Sequence, residues 1–187
     1  AHEGLRVGTV KLLEAKYGME YLIQGFADFL QQYSGNATLS IYGKGSKKEE
    51  LQAQINSLGM GASIKLMGAV PNNEVPEIIN QLDLFVLPSV LDSESFGVSA
   101  VEAMACGVPV IASDVDGFRE TVEDGVTGSI IKRRDSGAIT QKLLELAENP
   151  AKREQLGKAG RERVLRLYDF DKNVDEMERI YHIVAGQ

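Results

Sequence analysis

The sequence predicts an α/β fold in which a doubly wound parallel sheet of about six strands carries helices on both faces. Short apolar runs alternate with longer segments whose apolar residues recur every three or four positions, and this alternation repeats along most of the chain. The connecting segments are long enough for right-handed crossovers between parallel strands. The predicted strands cover residues 5–10, 37–42, 63–67, 84–87, 108–112 and 128–131.

The predicted helices follow the strands and fill the C-terminal part of the chain. Asn72 or Asn73 is the expected cap of the short third helix, with Pro76 in its first turn, and Asp135 is the expected cap of the sixth. The fourth helix is so apolar that burial against the sheet is expected. The helices cover 19–33, 49–58, a stretch near Asn73, 97–107, a stretch after Asp114, 135–148, 150–168 and 169–184.

Length and composition limit the class of protein. The chain has 187 residues, enough for one domain with a substantial core, and its net charge of −7 argues against a nucleic-acid-binding protein. The basic helix of 150–168 is interleaved with Glu, so a solvated face is expected there. The only cysteine, Cys106, cannot form an internal disulfide, which fits a reducing compartment. Since neither a signal peptide nor a membrane-spanning apolar run is found, a cytoplasmic location is expected.

The stretch of residues 84–107 carries the clearest chemistry. Glu102 lies in the apolar fourth helix, where a carboxylate needs donors, and no Lys, Arg or His is found within two turns of it in sequence. Two neighbouring ribose hydroxyls would supply such donors. Glu94 precedes Ser95, Phe96 and Gly97, whose backbone amides can face an anion at the helix start. Phosphate at the helix start, a sugar at Glu94 and a ribose at Glu102 would together describe a nucleotide sugar.

Residue types alone leave a second interpretation open for each feature. Glu94 can be a solvated loop carboxylate, and Glu102 can be a core residue paired with a distant base. Lys11 and Lys16, in the loop after the first strand, can neutralise a diphosphate or can be solvated. The sequence Gly43-Lys44-Gly45 is interpreted as a tight turn with a structural role.

The pattern Glu-Ser-Phe-Gly-x-x-x-x-Glu-Ala-Met-Ala-Cys-Gly-x-Pro-Val, which contains Glu94 and Glu102, resembles the donor-binding half of retaining glycosyltransferases of the GT-B fold, in group 1 (family 4). The resemblance runs from Val7 to about Tyr181 and implies a Rossmann-like sheet. It also implies that residues 1–187 form a single nucleotide-sugar-binding domain, the C-terminal half of an enzyme whose N-terminal acceptor domain is absent. Residues 169–187 would be a helix that crosses back towards that domain.

The same resemblance implies roles for individual residues. Glu94 and Lys16 would be catalytic and would also contact the donor. Lys16 and Gly18 match the family's Lys and Gly, although Tyr17 is inserted between them. Backbone contacts near Val70 would hold the base of a UDP- or GDP-linked sugar, and no metal ligand is implied. The other donor-binding positions would be Thr9, which occupies the place of the family's Arg, and Lys11, Ser95, Phe96, Gly97, Val98 and Glu102.

The activity implied for the intact enzyme is retaining transfer of a hexose to an acceptor hydroxyl in glycan or polysaccharide biosynthesis, with neither a metal nor a cofactor. The isolated chain is expected to bind the donor without transferring the sugar. Its partners would be the nucleotide sugar and the missing N-terminal domain, with no nucleic acid. Membrane contact would come only through the full-length protein, peripheral on the inner face of a membrane.

Other functions are also compatible with parts of the sequence. A non-catalytic sugar-nucleotide or interaction module with a decayed site stays open, because Thr9, the long loop of 11–18 and Lys44 depart from the family pattern. A dehydrogenase-type domain is disfavoured, since no Gly-x-Gly-x-x-Gly follows the first strand. Asp92-Ser-Glu94 is similar to the metal-binding motif of a different glycosyltransferase fold and is given little weight.

Overall fold

The computed structural model describes residues 4–92 and 96–186, apart from the side chain of Phe170. All neighbouring strands in the described sheet pair in parallel, which confirms the predicted α/β class. The strands are β1 (Leu5–Val10), β2 (Ala37–Tyr42), β3 (Ile64–Gly68), β4 (Leu84–Leu87), β5 (Val110–Ser113) and β6 (Gly128–Ile131). Their order is β3-β2-β1-β4-β5-β6, so the winding direction reverses between β1 and β4. Ligands of open α/β sheets bind beside such a reversal, at the carboxyl ends of the strands.

The helices agree with the predicted ones to within a few residues. They are α1 (Met19–Gln32), α2 (Lys48–Ser57), α3 (Val75–Ile79), α4 (Val98–Ala105), α5 (Asp116–Thr121), α6 (Ser136–Ala147), α7 (Pro150–Leu167) and α8 (Phe170–Val184). Asp135 caps α6 as predicted, because its side chain accepts from the Ala138 N–H. The predicted cap of α3 is wrong: Asn72 and Asn73 lie in a 3-10 turn, and Glu74 is the residue that precedes the helix.

Strand β4 shows how the two layers of helices are separated. Leu84 and Val86 belong to a core that includes α1, α2 and α6, whereas Phe85 and Leu87 belong to a second core with α3, α4 and α5. Successive side chains of a strand point to opposite faces of the sheet, so each layer of helices receives every other residue of β4. All four side chains are buried, as a central strand covered on both faces requires.

Helix α4 is less buried than its composition suggested. Ala100, Ala103 and Met104 are fully buried, but Val98 is 60% exposed and Glu102 also lies on the exposed side. The prediction of burial therefore holds for one face only. The carboxylate of Glu102 is on the open face, so the fold does not demand a buried counter-charge for it.

The basic helix α7 is not simply a solvated face. Arg161 donates to the carbonyl of Ala105, and Arg163 donates to the carbonyls of Glu120 at 3.1 Å and Thr121 at 3.0 Å. These carbonyls end α4 and α5, where helices have acceptors without an intrahelical donor. The cations therefore complete the C-terminal ends of two neighbouring helices, and the prediction of a solvated face is wrong for Arg163, whose side chain is only 18% exposed, whereas Arg161 is exposed.

Helix α8 carries an apolar stripe that the described part of the chain does not cover. Met177 is 51%, Tyr181 64% and Val184 80% exposed. Met177, Tyr181 and Val184 recur every three or four residues and therefore lie on one side of the helix. A contiguous stripe of exposed apolar side chains is rare on a soluble domain unless another surface covers it.

Candidate functional site

A cavity of about 400 Å³ opens at the carboxyl edge of the sheet, beside the reversal between β1 and β4. The loop after β1, the loops after β2 and β3, and the first turns of α4 enclose it. Its volume lies within the range typical of small-ligand sites. The lining side chains that bear on function are Lys11, Tyr17, Lys44, Val70, Ser99 and Glu102.

Lys11 and Glu102 bring opposite charges to this cavity. Lys11 follows β1 directly, and its backbone N–H donates to the Tyr42 carbonyl at 2.9 Å, which holds the end of β1 against the end of β2. Although Glu102 is exposed as a residue, its carboxyl group is partly desolvated at the wall of the cavity, which raises its pKa, and the positive charge of Lys11 partly opposes that rise. Lys11 and Glu102 are 91 positions apart in the sequence and are brought together only by the fold, so a search of the residues near Glu102 in sequence finds no cation.

Lys16 lies beside the cavity rather than in its wall. The ammonium nitrogens of Lys11 and Lys16 are 4.8 and 4.9 Å from the centroid of the Tyr17 ring, within the range of a cation–π contact. The Lys16 carbonyl accepts from the Val90 N–H at 2.9 Å, so the turn that carries Lys16 is fastened to the segment after β4. Both ammonium groups thus lie beside the same aromatic ring.

Thr9 does not take part in the cavity. It is completely buried in β1, it does not line the cavity, and its hydroxyl has no hydrogen-bond partner among the described residues. The expectation that Thr9 contacts a donor therefore conflicts with its position. The side chain that reaches the cavity from this part of the chain is Lys11, which lies just past the last residue of β1.

The first turn of α4 borders the cavity through Ser99. Gly97, which precedes this helix, has no side chain that could cap it, and the first turn of a helix presents N–H groups that lack intrahelical acceptors. Gly97 precedes the helix with a φ of +78°, and a Cβ there would lie 2.7 Å from the Phe118 ring, so both the conformation and the space call for glycine.

The remaining predicted residues of this segment have different positions. Phe96 packs its ring edge-on against Tyr168 at 5.4 Å between centroids, and Val98 is exposed next to the cavity without lining it. Val70 lines the cavity at the end near β3, as expected for a backbone contact to a base. Glu94 and Ser95 lie outside the described residues.

The Gly43-Lys44-Gly45 turn has the structural role that was predicted. A Cβ on Gly43 would lie 1.8 Å from the Lys11 carbonyl oxygen, and a Cβ on Gly45 would lie 2.3 Å from the Leu13 carbonyl oxygen. The two loops are therefore packed backbone to backbone. Lys44, between the glycines, adds a further cation to the cavity wall.

Arg133 is a residue that sequence reasoning missed. Its guanidinium donates to Asp92 Oδ2 at 2.8 Å and to Asp114 Oδ1 at 2.9 Å, which ties together the ends of the segments after β4, β5 and β6. The hydrogen bond from Arg133 lowers the pKa of Asp92. Asp92 is thus engaged by a guanidinium. Within residues 4–92 and 96–186, no three His, Cys, Asp or Glu side chains come together as a metal site would need.

The helices of the described segments include none with the length and apolar content that crossing a bilayer would take.

The sequence profile described as "Glycosyl transferases group 1" matches residues 2–163. The chain belongs to the glycosyl transferases of group 1. Solved structures confirm the GT-B fold that the resemblance implied. One of them is HepE of Anabaena in complex with UDP, which is 25% identical to this chain with a TM-score of 0.86. The match covers 99% of this chain and 50% of HepE.

Curated relatives of this group 1 chain include mannosyltransferases. It is 33% identical over 185 residues to a phosphatidyl-myo-inositol mannosyltransferase of Mycobacterium leprae, covering 96% of this chain and 48% of the relative. It is also 33% identical over 154 residues to a GDP-mannose-dependent alpha-(1-6)-phosphatidylinositol monomannoside mannosyltransferase of Mycolicibacterium smegmatis, covering 80% of this chain and 40% of the relative. The chain therefore spans about half the length of the curated relatives it matches.

Proposed function

We propose that this chain binds a nucleoside diphosphate sugar, UDP- or GDP-linked, as the donor-binding half of a retaining glycosyltransferase. One observation carries the proposal: a cation, Lys11, and a carboxylate, Glu102, line the same cavity beside the first turn of α4. A nucleotide sugar presents an anionic diphosphate and a neutral ribose diol, which are complementary to these two groups.

The placement of the donor follows from the positions of these groups. The ribose hydroxyls would donate to Glu102, and the diphosphate would lie between Lys11, Lys16 and the N–H groups at the start of α4. The base would contact the backbone near Val70. By resemblance to the family, the sugar would meet Glu94, together with the backbone of 95–98.

In the intact enzyme, breaking the bond between the sugar and the diphosphate leaves negative charge on the departing diphosphate. We propose that Lys11, Lys16 and the positive end of the α4 dipole stabilise that charge without a metal ion or a cofactor. Donors that are already in place when the charge develops need no reorganisation, which is how such groups lower a barrier. The hexose would pass to an acceptor hydroxyl with retention of its anomeric configuration.

The relatives support a nucleotide sugar and leave the base open. One curated relative is named as GDP-mannose-dependent, whereas the HepE structure contains UDP. Backbone contacts near Val70 would leave little trace of the base in the side chains, which is why both remain in the proposal. The acceptor hydroxyl would belong to a growing glycan.

The length of the relatives leads to the second part of the proposal. The chain spans 48% of a relative that it matches over 96% of its own length, so we propose that an N-terminal acceptor domain belongs to the same polypeptide. The exposed stripe of α8, with Met177 and Tyr181, would lie against that domain. The isolated chain would then bind the donor without transferring the sugar. We place the intact protein in the cytoplasm, where it would meet a membrane only from the inner face.

Calorimetric titration of this chain with UDP, GDP and their glucose and mannose conjugates tests the proposal. We expect saturable binding to at least one of these ligands, and at least a tenfold loss in Glu102→Ala. Glu77→Ala, an exposed carboxylate on α3 outside the cavity, is the matched control and should bind as wild type does. Absence of saturable binding to every ligand would favour the non-catalytic module with a decayed site.

A further inference from the structure

Tyr17 is the residue of the site to which family resemblance gives no role, since it is inserted between Lys16 and Gly18. Its ring lines the cavity, and the ammonium groups of Lys11 and Lys16 lie 4.8 and 4.9 Å from the ring centroid. One aromatic ring thus contacts both cations that the proposed function places at the diphosphate.

The ring itself is held firmly. Tyr17 packs against the larger hydrophobic core, and its N–H donates to the Glu14 carbonyl at 3.0 Å within a 3-10 turn. The next residue, Gly18, has a φ of +61°, and a Cβ there would lie 2.3 Å from the Pro88 carbonyl oxygen, so the turn fits tightly against the segment after β4. A fixed ring can restrict two long side chains that would otherwise sample many rotamers.

The charges around the ring explain why such a restriction is needed. Two ammonium groups repel each other, and each is also drawn towards a carboxylate: Lys11 acts on Glu102, and Lys16 acts on Glu14. Glu14 is already engaged, because it accepts from the N–H and the hydroxyl of Ser46 at 2.8 and 2.6 Å. The negative face of an aromatic ring attracts both cations without neutralising either of them. The ring therefore holds both ammonium groups beside the cavity.

We propose that Tyr17 is a positioning residue for the diphosphate group of the nucleotide: its ring gathers the ammonium groups of Lys11 and Lys16 into one anion-binding pair. The inference rests on the proposed function and assigns a specific task to the inserted residue. The inference predicts different effects on diphosphate and nucleoside binding, because Tyr17 acts through the two lysines and not through the base or the ribose.

Affinity measurements with two ligand classes test this inference. In Tyr17→Leu we expect the dissociation constant of UDP or GDP to rise about three- to tenfold, the effect of losing cation–π contacts and of freeing two lysine side chains. The affinity for the corresponding nucleoside, uridine or guanosine, should stay within twofold of wild type. Tyr17→Phe keeps the ring and should bind all ligands as wild type does. Tyr21→Leu, another tyrosine at the edge of the same core but outside the cavity, is the matched control.

Because Tyr17→Leu also removes packing, a variant with pentafluorophenylalanine at position 17 keeps the ring shape while reversing its attraction for cations. We expect this variant to lose diphosphate affinity as Tyr17→Leu does, with an unchanged thermal unfolding midpoint. Equal diphosphate affinity in the fluorinated variant and wild type would overturn the inference, as would an equal loss for the nucleoside, which would indicate that Tyr17 stacks on the base. If wild type binds neither UDP nor GDP, the proposed function fails, whereas a binding wild type with insensitive Tyr17 variants overturns the inference alone.

Discussion

Replacing Glu102 by Gln gives the most specific test of how the cavity holds a nucleotide. The substitution keeps the shape of the side chain and one acceptor oxygen, but removes the charge that makes the two hydrogen bonds to a ribose diol strong. We expect UDP and GDP to bind more weakly to Glu102→Gln than to wild type. The structure sets the scale of the loss through the position of this side chain.

A hydrogen bond to a charged group contributes about 1.5–3 kcal/mol. Glu102 lies on the exposed side of α4, where solvent weakens electrostatic contributions, and only one of the two acceptor oxygens is removed. The loss expected for Glu102→Gln is therefore near the lower end, about 1.5 kcal/mol, which corresponds to roughly a tenfold rise in the dissociation constant.

The assay is a cycle in which the protein and the ligand are both changed. Calorimetry on wild type and Glu102→Gln, each with the ribonucleotide and its 2′-deoxy analogue, measures whether the carboxylate and the hydroxyl act on each other. Wild type should lose affinity for the 2′-deoxy ligand, and Glu102→Gln should lose less than half as much in free energy. Equal losses in both proteins would refute the assignment of the ribose to Glu102, even if the variant binds weakly.

Because the pKa of Glu102 is raised, nucleoside affinity should begin to fall at a higher pH than protonation of an ordinary surface glutamate would cause. Lys11→Met should raise the pKa of Glu102 further, which NMR titration of the Glu102 side chain measures. An unchanged pKa in Lys11→Met would count against an interaction between the two residues. Gly157→Ala places a Cβ 2.1 Å from the Gly107 carbonyl oxygen. Although alanine is the better helix former, we expect the free energy of unfolding, measured with a chemical denaturant, to fall by about 2 kcal/mol. A rise of about 1 kcal/mol would show that α7 has room for a side chain at this position.

Short apolar runs with clear boundaries explain why the strands could be predicted well. β1, β2, β4 and β6 match their predicted bounds, because each is a compact run of apolar or alternating residues ended by polar or turn-forming ones. β5 begins two residues later than predicted, at Val110. A strand begins where its neighbour offers hydrogen bonds, and here Val110 pairs with Phe85 of β4, which the local sequence does not reveal.

The candidate site could be predicted only where its residues carry chemistry in their own neighbourhood. Glu102 stood out because an apolar helix rarely carries a carboxylate, and Lys11 stood out by its place after a strand. Arg133 gave no such signal, since its partner Asp92 is 41 residues away and only the winding of the sheet brings them together. Thr9 was wrongly assigned to the donor site for a related reason. Matching a sequence to a family motif does not show whether a side chain is buried, and that of Thr9 is completely buried.

The close backbone contacts around the cavity bear on whether this chain can bind a donor by itself. Gly43 meets the Lys11 carbonyl, and Gly18 meets the Pro88 carbonyl, at distances that leave no room for a side chain. Contacts of this kind fix the loops before a ligand arrives, so binding would not have to supply the free energy that orders them. The residues that make these contacts all belong to this chain. We therefore expect the donor affinity of this chain to be set largely by its own fold.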